Sequence, residues 1–306
     1  MAEEITYPLI SVLVANYNNA AYITDALDSA RSQIYPNIEI VILDDCSTDD
    51  SLSVIHQYAL QHSEINIVLS VNERNSGVGY TKRRLIELSH GEYFFFLDPD
   101  DTITADCIET LYKPYLHDNY SIVYASHYLC DEYLRIIDES NWVGQIPAGQ
   151  THFTSTEGHI SAPALCNRSC YDETDGINPD YPVAEDQDLY TKMEEIAPVL
   201  YIDRPLYFYR AHNHNMSRDN AQQWLNLSAV HQYIEDNYRR RRFQHPEVRN
   251  LTLRQIAEHR LEYQLSKYRH YRSSGQYMEA VIALVKACQY CYYDRHLHIL
   301  KNIFKF

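Results

Sequence analysis

The chain has 306 residues, 45% hydrophobic and 22% charged, with only 8 Gly and 11 Pro. That composition suits one large or two smaller globular domains and excludes a disordered or collagen-like chain. The net charge of −16 is unevenly held: residues 1–218 carry 12 Lys and Arg against 34 Asp and Glu, whereas residues 219–306 carry 14 against 8. So acidic a body repels nucleic acid, no nucleic-acid partner is expected, and the basic tail is expected to be a separate region.

In chain order, Ile10–Ala15, Glu39–Leu43, Asn66–Val71 and Tyr93–Leu97 are short apolar runs rich in β-branched and aromatic residues, and they read as strands. Between them, segments 20–34, 48–62 and 78–90 have helical spacing. Strands apolar on both faces, alternating with helices, predict an α/β fold with a mostly parallel sheet covered on both sides. Thr48 is placed to cap the second helix, with Asp49 and Asp50 in its first turn. Further on, a helix is expected over 104–117, a strand over 121–127, a polar irregular stretch over 138–165, a helix over 186–196, and strands over 199–202 and 206–210. From about 220 the pattern is helical, with three helices broken near His245-Pro246 and Ser273-Ser274-Gly275. The expected division is an acidic α/β domain over 1–218 and a basic helical extension over 219–306.

The 7 cysteines are scattered and lack zinc-ligand spacing, and the opening Met-Ala-Glu-Glu lacks the basic and apolar parts of a signal peptide. Reduced, structural thiols and a cytoplasmic location are expected, and no run of eighteen uncharged apolar residues suggests a membrane span.

In an open α/β sheet, ligands bind beyond the carboxyl ends of the strands. The first strand ends in Ala15-Asn16-Tyr17-Asn18, the second in Asp44-Asp45-Cys46-Ser47, and the fourth in Asp98-Pro99-Asp100-Asp101, while the third leads to Asn75-Ser76-Gly77. Carboxylates gathered at one edge repel unless a cation or hydrogen-bond donors hold them, so a divalent metal is expected. The glycine and distal glutamate of an EF-hand are missing around Asp98.

The ordered set LISVLVANYN, IEIVILDDCSTDDS, NERNSGVGYTKRR, GEYFFFLDPDD, AEDQDL and RPLYFYRAHNHNMS resembles the family 2 inverting glycosyltransferases of GT-A-type fold over about residues 8–218. The resemblance implies a metal-dependent enzyme that moves a hexose or N-acetylhexosamine from a UDP-sugar to a hydroxyl of a glycan or lipid-linked acceptor, in bacterial surface polysaccharide synthesis, with Mn²⁺ or Mg²⁺ as cofactor. It implies that Tyr17 stacks on the base beside the backbone of Ala15, that Asp45 accepts the base N3–H, and that Lys82 approaches the phosphates. Asp98 would contact the ribose and Asp100 the metal, with Asp101 behind them. Asp186 becomes the base that deprotonates the acceptor, with Glu185 beside it. His212 is a metal ligand or a diphosphate contact, with His214 as its rival, and Arg210, Ser217 and Arg218 would close over the diphosphate on a mobile loop. Ala15 stands where Pro is frequent in the family, and Lys82 where Arg is common.

Two alternatives stay open: a catalytically degenerate nucleotide- or sugar-binding relative, and a transferase with a lipid-phosphate sugar donor. Gly77-Val78-Gly79 lacks the third glycine of a dinucleotide fingerprint, and no GxxxxGK[ST] occurs. The tail carries Arg239–Arg242 and an apolar, aromatic stretch from Tyr277 to Tyr293. It reads either as a helical cap or self-association element, or as a surface in peripheral contact with anionic lipid at the inner face of the membrane.

Overall fold

A computed structural model describes residues 7–155, 157–212, 223–241, 244 and 253–294. The chain divides into two compact units, Met1–His212 and Asn213–Phe306. In the first, strands β1 (Ile10–Asn16), β2 (Ile38–Asp44), β3 (Ile67–Val71) and β4 (Tyr93–Phe96) follow the apolar runs and alternate with helices α1 (Ile23–Arg31), α2 (Ser51–Gln61) and α3 (Val78–Leu88). β1 pairs in parallel with β2 on one side and β4 on the other, and β3 lies beyond β2. Successive side chains of a strand point to opposite faces. Val12 and Val14 therefore join Ile23 and Leu27 of α1 in one core, and Leu13 joins Leu85 and Ile86 of α3 in the other.

The chain continues through β5 (Thr102–Ile103), α4 (Cys107–Tyr112), a 3₁₀ turn at Lys113–Leu116, β6 (Ile122–Cys130), β7 (Ile136–Glu139), β8 (Ala164–Asn167), α5 (Arg168–Asp172), α6 (Glu185–Met193) and β9 (Val199–Arg210). The sheet has nine strands in the order β3-β2-β1-β4-β8-β6-β9-β5, with β7 paired to β6. β6 and β9 run parallel, whereas β8 is antiparallel to both its neighbours, β4 and β6.

Three local expectations differ from the structure. β8 starts within the stretch expected to be irregular and runs two residues past its end; its four residues are all buried between β4 and β6, so its neighbours rather than its own period define it. The strands expected at 199–202 and 206–210 are one strand, because register shifts opposite Ala125–His127 absorb the polar Asp203-Arg204 without breaking the pairing. Thr48 does not cap α2, which starts at Ser51: the Thr48 N–H donates to Asn18 Oδ1, and Asp49 accepts the Ser51 N–H from outside the helix.

The second unit, among the described residues, consists of helices α7 (Gln223–Arg241), α8 (Leu253–Ser273) and α9 (Tyr277–Asp294). Glu235 of α7 accepts from the Arg260 guanidinium of α8 at 2.9 Å, and Ala280, Ala283 and Ala287 give α9 a buried small-residue face. Among the described residues, no helix is long and apolar enough to cross a membrane.

Candidate active site

The carboxyl ends of β1 and β2 form a hydrogen-bonded platform. Asp44 accepts from the Asn16 amide at 2.7 Å and from the Ser47 N–H and hydroxyl at 2.8 and 2.7 Å. Asp45 accepts from the Asn72 amide at 2.7 Å and from the Ser76 and Gly77 N–H groups at 2.9 Å. Both aspartates are buried, while Tyr17 beside them is 43% exposed and offers a ring face. Ala15, one residue before the end of β1, pairs with Leu43.

The Asp45 contact also sets the start of α3. Gly77 sits at φ +86°, a left-handed conformation that glycine adopts without strain, and α3 begins one residue later. Two residues on, a Cβ at Gly79 would stand 2.7 Å from the carbonyl oxygens of Asn178 and Tyr181. The two glycines of Gly77-Val78-Gly79 thus serve a turn and a close approach to the loop that leads into α6.

Beyond β4, Asp101 is buried and accepts from the Tyr207 hydroxyl at 2.8 Å and the Arg210 N–H at 2.7 Å. Burial pushes its carboxyl well above the usual range, and the charges of Asp100 and Asp98 add to the effect. Asp98 is likewise raised, first by burial and then by Asp100 and Glu185, with Lys82 opposing. Asp100 Oδ2 lies 2.9 Å from His212 Nε2. Among the described residues, no group of three or more His, Cys, Asp or Glu side chains is arranged to hold a metal ion.

The second carboxylate group opens α6. Lys82 Nζ donates to Glu185 Oε1 at 2.7 Å, both side chains being nearly buried. Burial alone would pull the ammonium down, but Glu185, Asp98 and Asp186 together hold it above its ordinary value. Burial pushes the Glu185 carboxyl up and Lys82 opposes it; at this separation we read the pair as ammonium and carboxylate, because Lys82 is held protonated. Asp186 is half-buried, with Oδ1 accepting the Gln187 N–H at 2.7 Å.

The structure therefore gathers Asp98, Asp100, His212, Lys82, Glu185 and Asp186 at one edge of the sheet, but two residues differ from expectation. Lys82 is turned toward Glu185 and Asp98 from inside α3, not presented on an open phosphate-facing surface. Arg210 is not on a mobile loop: it ends β9, is buried, and its guanidinium donates to the Asp100 carbonyl, the Glu132 carbonyl and Asp25 Oδ2 at 2.7, 2.8 and 2.7 Å. His214, Ser217 and Arg218 lie outside the described residues.

Sequence reasoning missed Tyr207 and Tyr22. The Tyr22 ring packs against both the Arg210 guanidinium, 4.7 Å from its centroid, and the His212 imidazole, also at 4.7 Å. Tyr207 had a signal, as the first of three aromatics in the run Leu206–Tyr209 that leads into Arg210, but its partner stands 106 residues away.

A family model described as Glycosyl transferase family 2 matches residues 11–170. The chain is similar to chondroitin synthase of Escherichia coli, 25% identical over 218 residues that cover 69% of this chain and 30% of that protein. It spans 30–40% of the length of the first curated relatives it matches. Among solved structures, it resembles residues 1–349 of S. aureus TarS in complex with UDP-GlcNAc, with a TM-score of 0.60, 18% identity, and coverage of 92% of this chain and 91% of that one. It also resembles the mannosyltransferase PcManGT from Pyrobaculum calidifontis in complex with GDP-Man and Mn²⁺, with a TM-score of 0.58, 18% identity, and coverage of 93% and 76%. These neighbours carry the GT-A-type fold, a mixed α/β sheet flanked by helices.

Proposed function

The chain belongs to glycosyl transferase family 2, and from that premise we propose that it is an inverting, metal-dependent transferase of a hexose or N-acetylhexosamine from a UDP-sugar to a glycan hydroxyl. The observation that carries this reading is the Lys82 ammonium, whose anionic neighbours Glu185, Asp98 and Asp186 join the end of β4 to the first turn of α6. The turn after β4 then supports donor binding and the first turn of α6 acceptor activation. The exposed Tyr17 ring, above the platform of Asp44 and Asp45, suits a nucleotide base. The UDP-GlcNAc complex of the TarS neighbour supports UDP as the nucleotide.

Asp100 and His212 are the residues that would hold Mn²⁺ or Mg²⁺. An imidazole nitrogen and a carboxylate oxygen that face each other at 2.9 Å are a donor set that suits such an ion. When bound, such an ion neutralises the charge that grows on a departing diphosphate. Asp186 is assigned the acceptor proton: its Oδ1 is engaged by Gln187 N–H, so Oδ2 is the oxygen we give to the acceptor hydroxyl. Attack on the face opposite the leaving group inverts the anomeric centre, so an α-linked donor gives a β-linked product. Lys82 supplies the cation that lets Glu185, Asp98 and Asp186 stand together. A polysaccharide or lipid-linked saccharide acceptor, on the cytoplasmic side, completes the reading.

The test is calorimetric titration with UDP, with CDP, GDP and dTDP as controls, with and without Mn²⁺. Preference for UDP that requires the metal is expected. Preference for GDP would change the donor class, and no binding of any nucleotide would replace this reading by a degenerate relative or a lipid-phosphate donor.

A further inference from the structure

The excursion between β7 and β8 sends one side chain onto the helix that carries Asp186. His152 is only 3% exposed. The Ile160 backbone N–H, which can only donate, points at His152 Nδ1 at 3.1 Å. Nδ1 is therefore the acceptor, and the neutral ring carries its proton on Nε2, which donates to Gln187 Oε1 at 2.9 Å. The His152 backbone N–H donates to Glu194 Oε2 at 2.6 Å, and its ring meets Tyr190 edge-on with centroids 5.9 Å apart. Gln187 and Tyr190 of α6 and Glu194, its C-cap residue, are three and four residues apart, so they lie along one face. His152 thus spans that face through side chain and backbone together.

Gln187 is the hinge of this arrangement. Its side-chain oxygen is held by His152, and its backbone N–H holds Asp186 Oδ1 at 2.7 Å. Immediately before the helix, Ala184 adopts φ +64°, a left-handed conformation disfavoured for alanine that the surrounding contacts must maintain. A carboxylate on a turn of this kind depends on what pins the turn.

We propose that His152 is a positioning residue: its Nε2–H, acting through Gln187, holds the first turn of α6 so that Asp186 faces the acceptor. The excursion and the general base are thereby one mechanical unit, a statement that rests on Asp186 being that base.

The test uses the full chain with UDP-GlcNAc and Mn²⁺, following UDP release to water. His152→Ala is expected to lower kcat about tenfold or more, with KM for UDP-GlcNAc and the calorimetric Kd for UDP within about twofold of the parent. Gln187→Ala should give a similar loss and the double variant no further loss, while His152→Gln, which restores an N–H donor, recovers part of the rate. Losses that multiply in the double variant, an unchanged kcat, or a parallel loss of UDP affinity would overturn the proposal. Amide hydrogen exchange over residues 184–190 reads the hold without any substrate. Faster exchange there in His152→Ala, with β1 unchanged, supports it; unchanged exchange at 184–190, or faster exchange everywhere, overturns it. A parent chain that binds no UDP while residues 184–190 still respond removes the transferase reading and leaves the His152 contact standing.

Discussion

Asp44-Asp45 and Asp100-Asp101 stand at and just beyond the ends of the two strands that flank β1, and their surroundings differ in kind. Each carboxylate of the first pair accepts three hydrogen bonds from amide, hydroxyl or backbone donors. Around the second pair, Asp101 accepts two and Asp100 faces His212, and the accumulated charge and burial push Asp98 and Asp101 upward. The same residue type therefore builds a turn in one place and gathers mutually repelling carboxyls in the other. Of the carboxylates gathered at this edge, the pair at the end of β2 is thus held by hydrogen-bond donors, whereas those beyond β4 act on one another through their charges.

The comparison breaks most plainly at Asp100. Asp100→Ala should weaken the Mn²⁺-dependent part of UDP binding by several kcal/mol, a hundredfold or more, while leaving the urea midpoint of the free protein unlowered; an unchanged Mn²⁺ titration removes Asp100 from the ion site. Asp45→Ala should do the reverse in stability, costing about 2–3 kcal/mol in urea unfolding, because the Ser76 and Gly77 N–H groups lose their acceptor. Gly79→Ala should cost about 1–2 kcal/mol, since its Cβ would press on the Asn178 and Tyr181 carbonyls; a neutral result would show that this loop yields freely.

The smallest effect concerns pH. Carboxyls raised in the folded state contribute stability that is complete below the unfolded value, about 3.9, and lost as pH rises through the folded value. Removing the Asp100 charge lowers both Asp98 and Asp101, so in EDTA the stability of Asp100→Asn relative to the parent should grow as pH rises above the unfolded value of about 3.9 across the range in which the native fold persists, by about 1 kcal/mol or less. A constant difference across that range would mean that the three carboxylates do not interact.

Much of this organisation was legible in the chain. The runs that became β1–β4 are apolar on both faces and bounded by helical spacing, so their type and the edge they share followed from periodicity. Asp98, Asp100 and Asp186 were singled out by motif, and the structure brings them to one neighbourhood around Lys82. What was illegible depends on partners far away in sequence. Ala164–Asn167 is too short to show a period, and Arg210 carries no sign that Asp25, 185 residues earlier, takes its guanidinium. The His152–Gln187 contact joins two polar residues, each of which alone reads as surface.

β9 has 12 residues where its partner β6 has 9. That surplus is odd, and it switches which side chains face which way. Before it, Leu200 and Ile202 point into the core shared with α1; after it, Tyr207 and Tyr209 do. Change in this segment is therefore quantised: adding or removing two residues preserves the facing of everything downstream, whereas one residue would turn Tyr207 away from Asp101. Among variants of this chain, length changes at 203–206 should be heritable in even steps, so that the segment can drift in size while the phase of the strand stays locked.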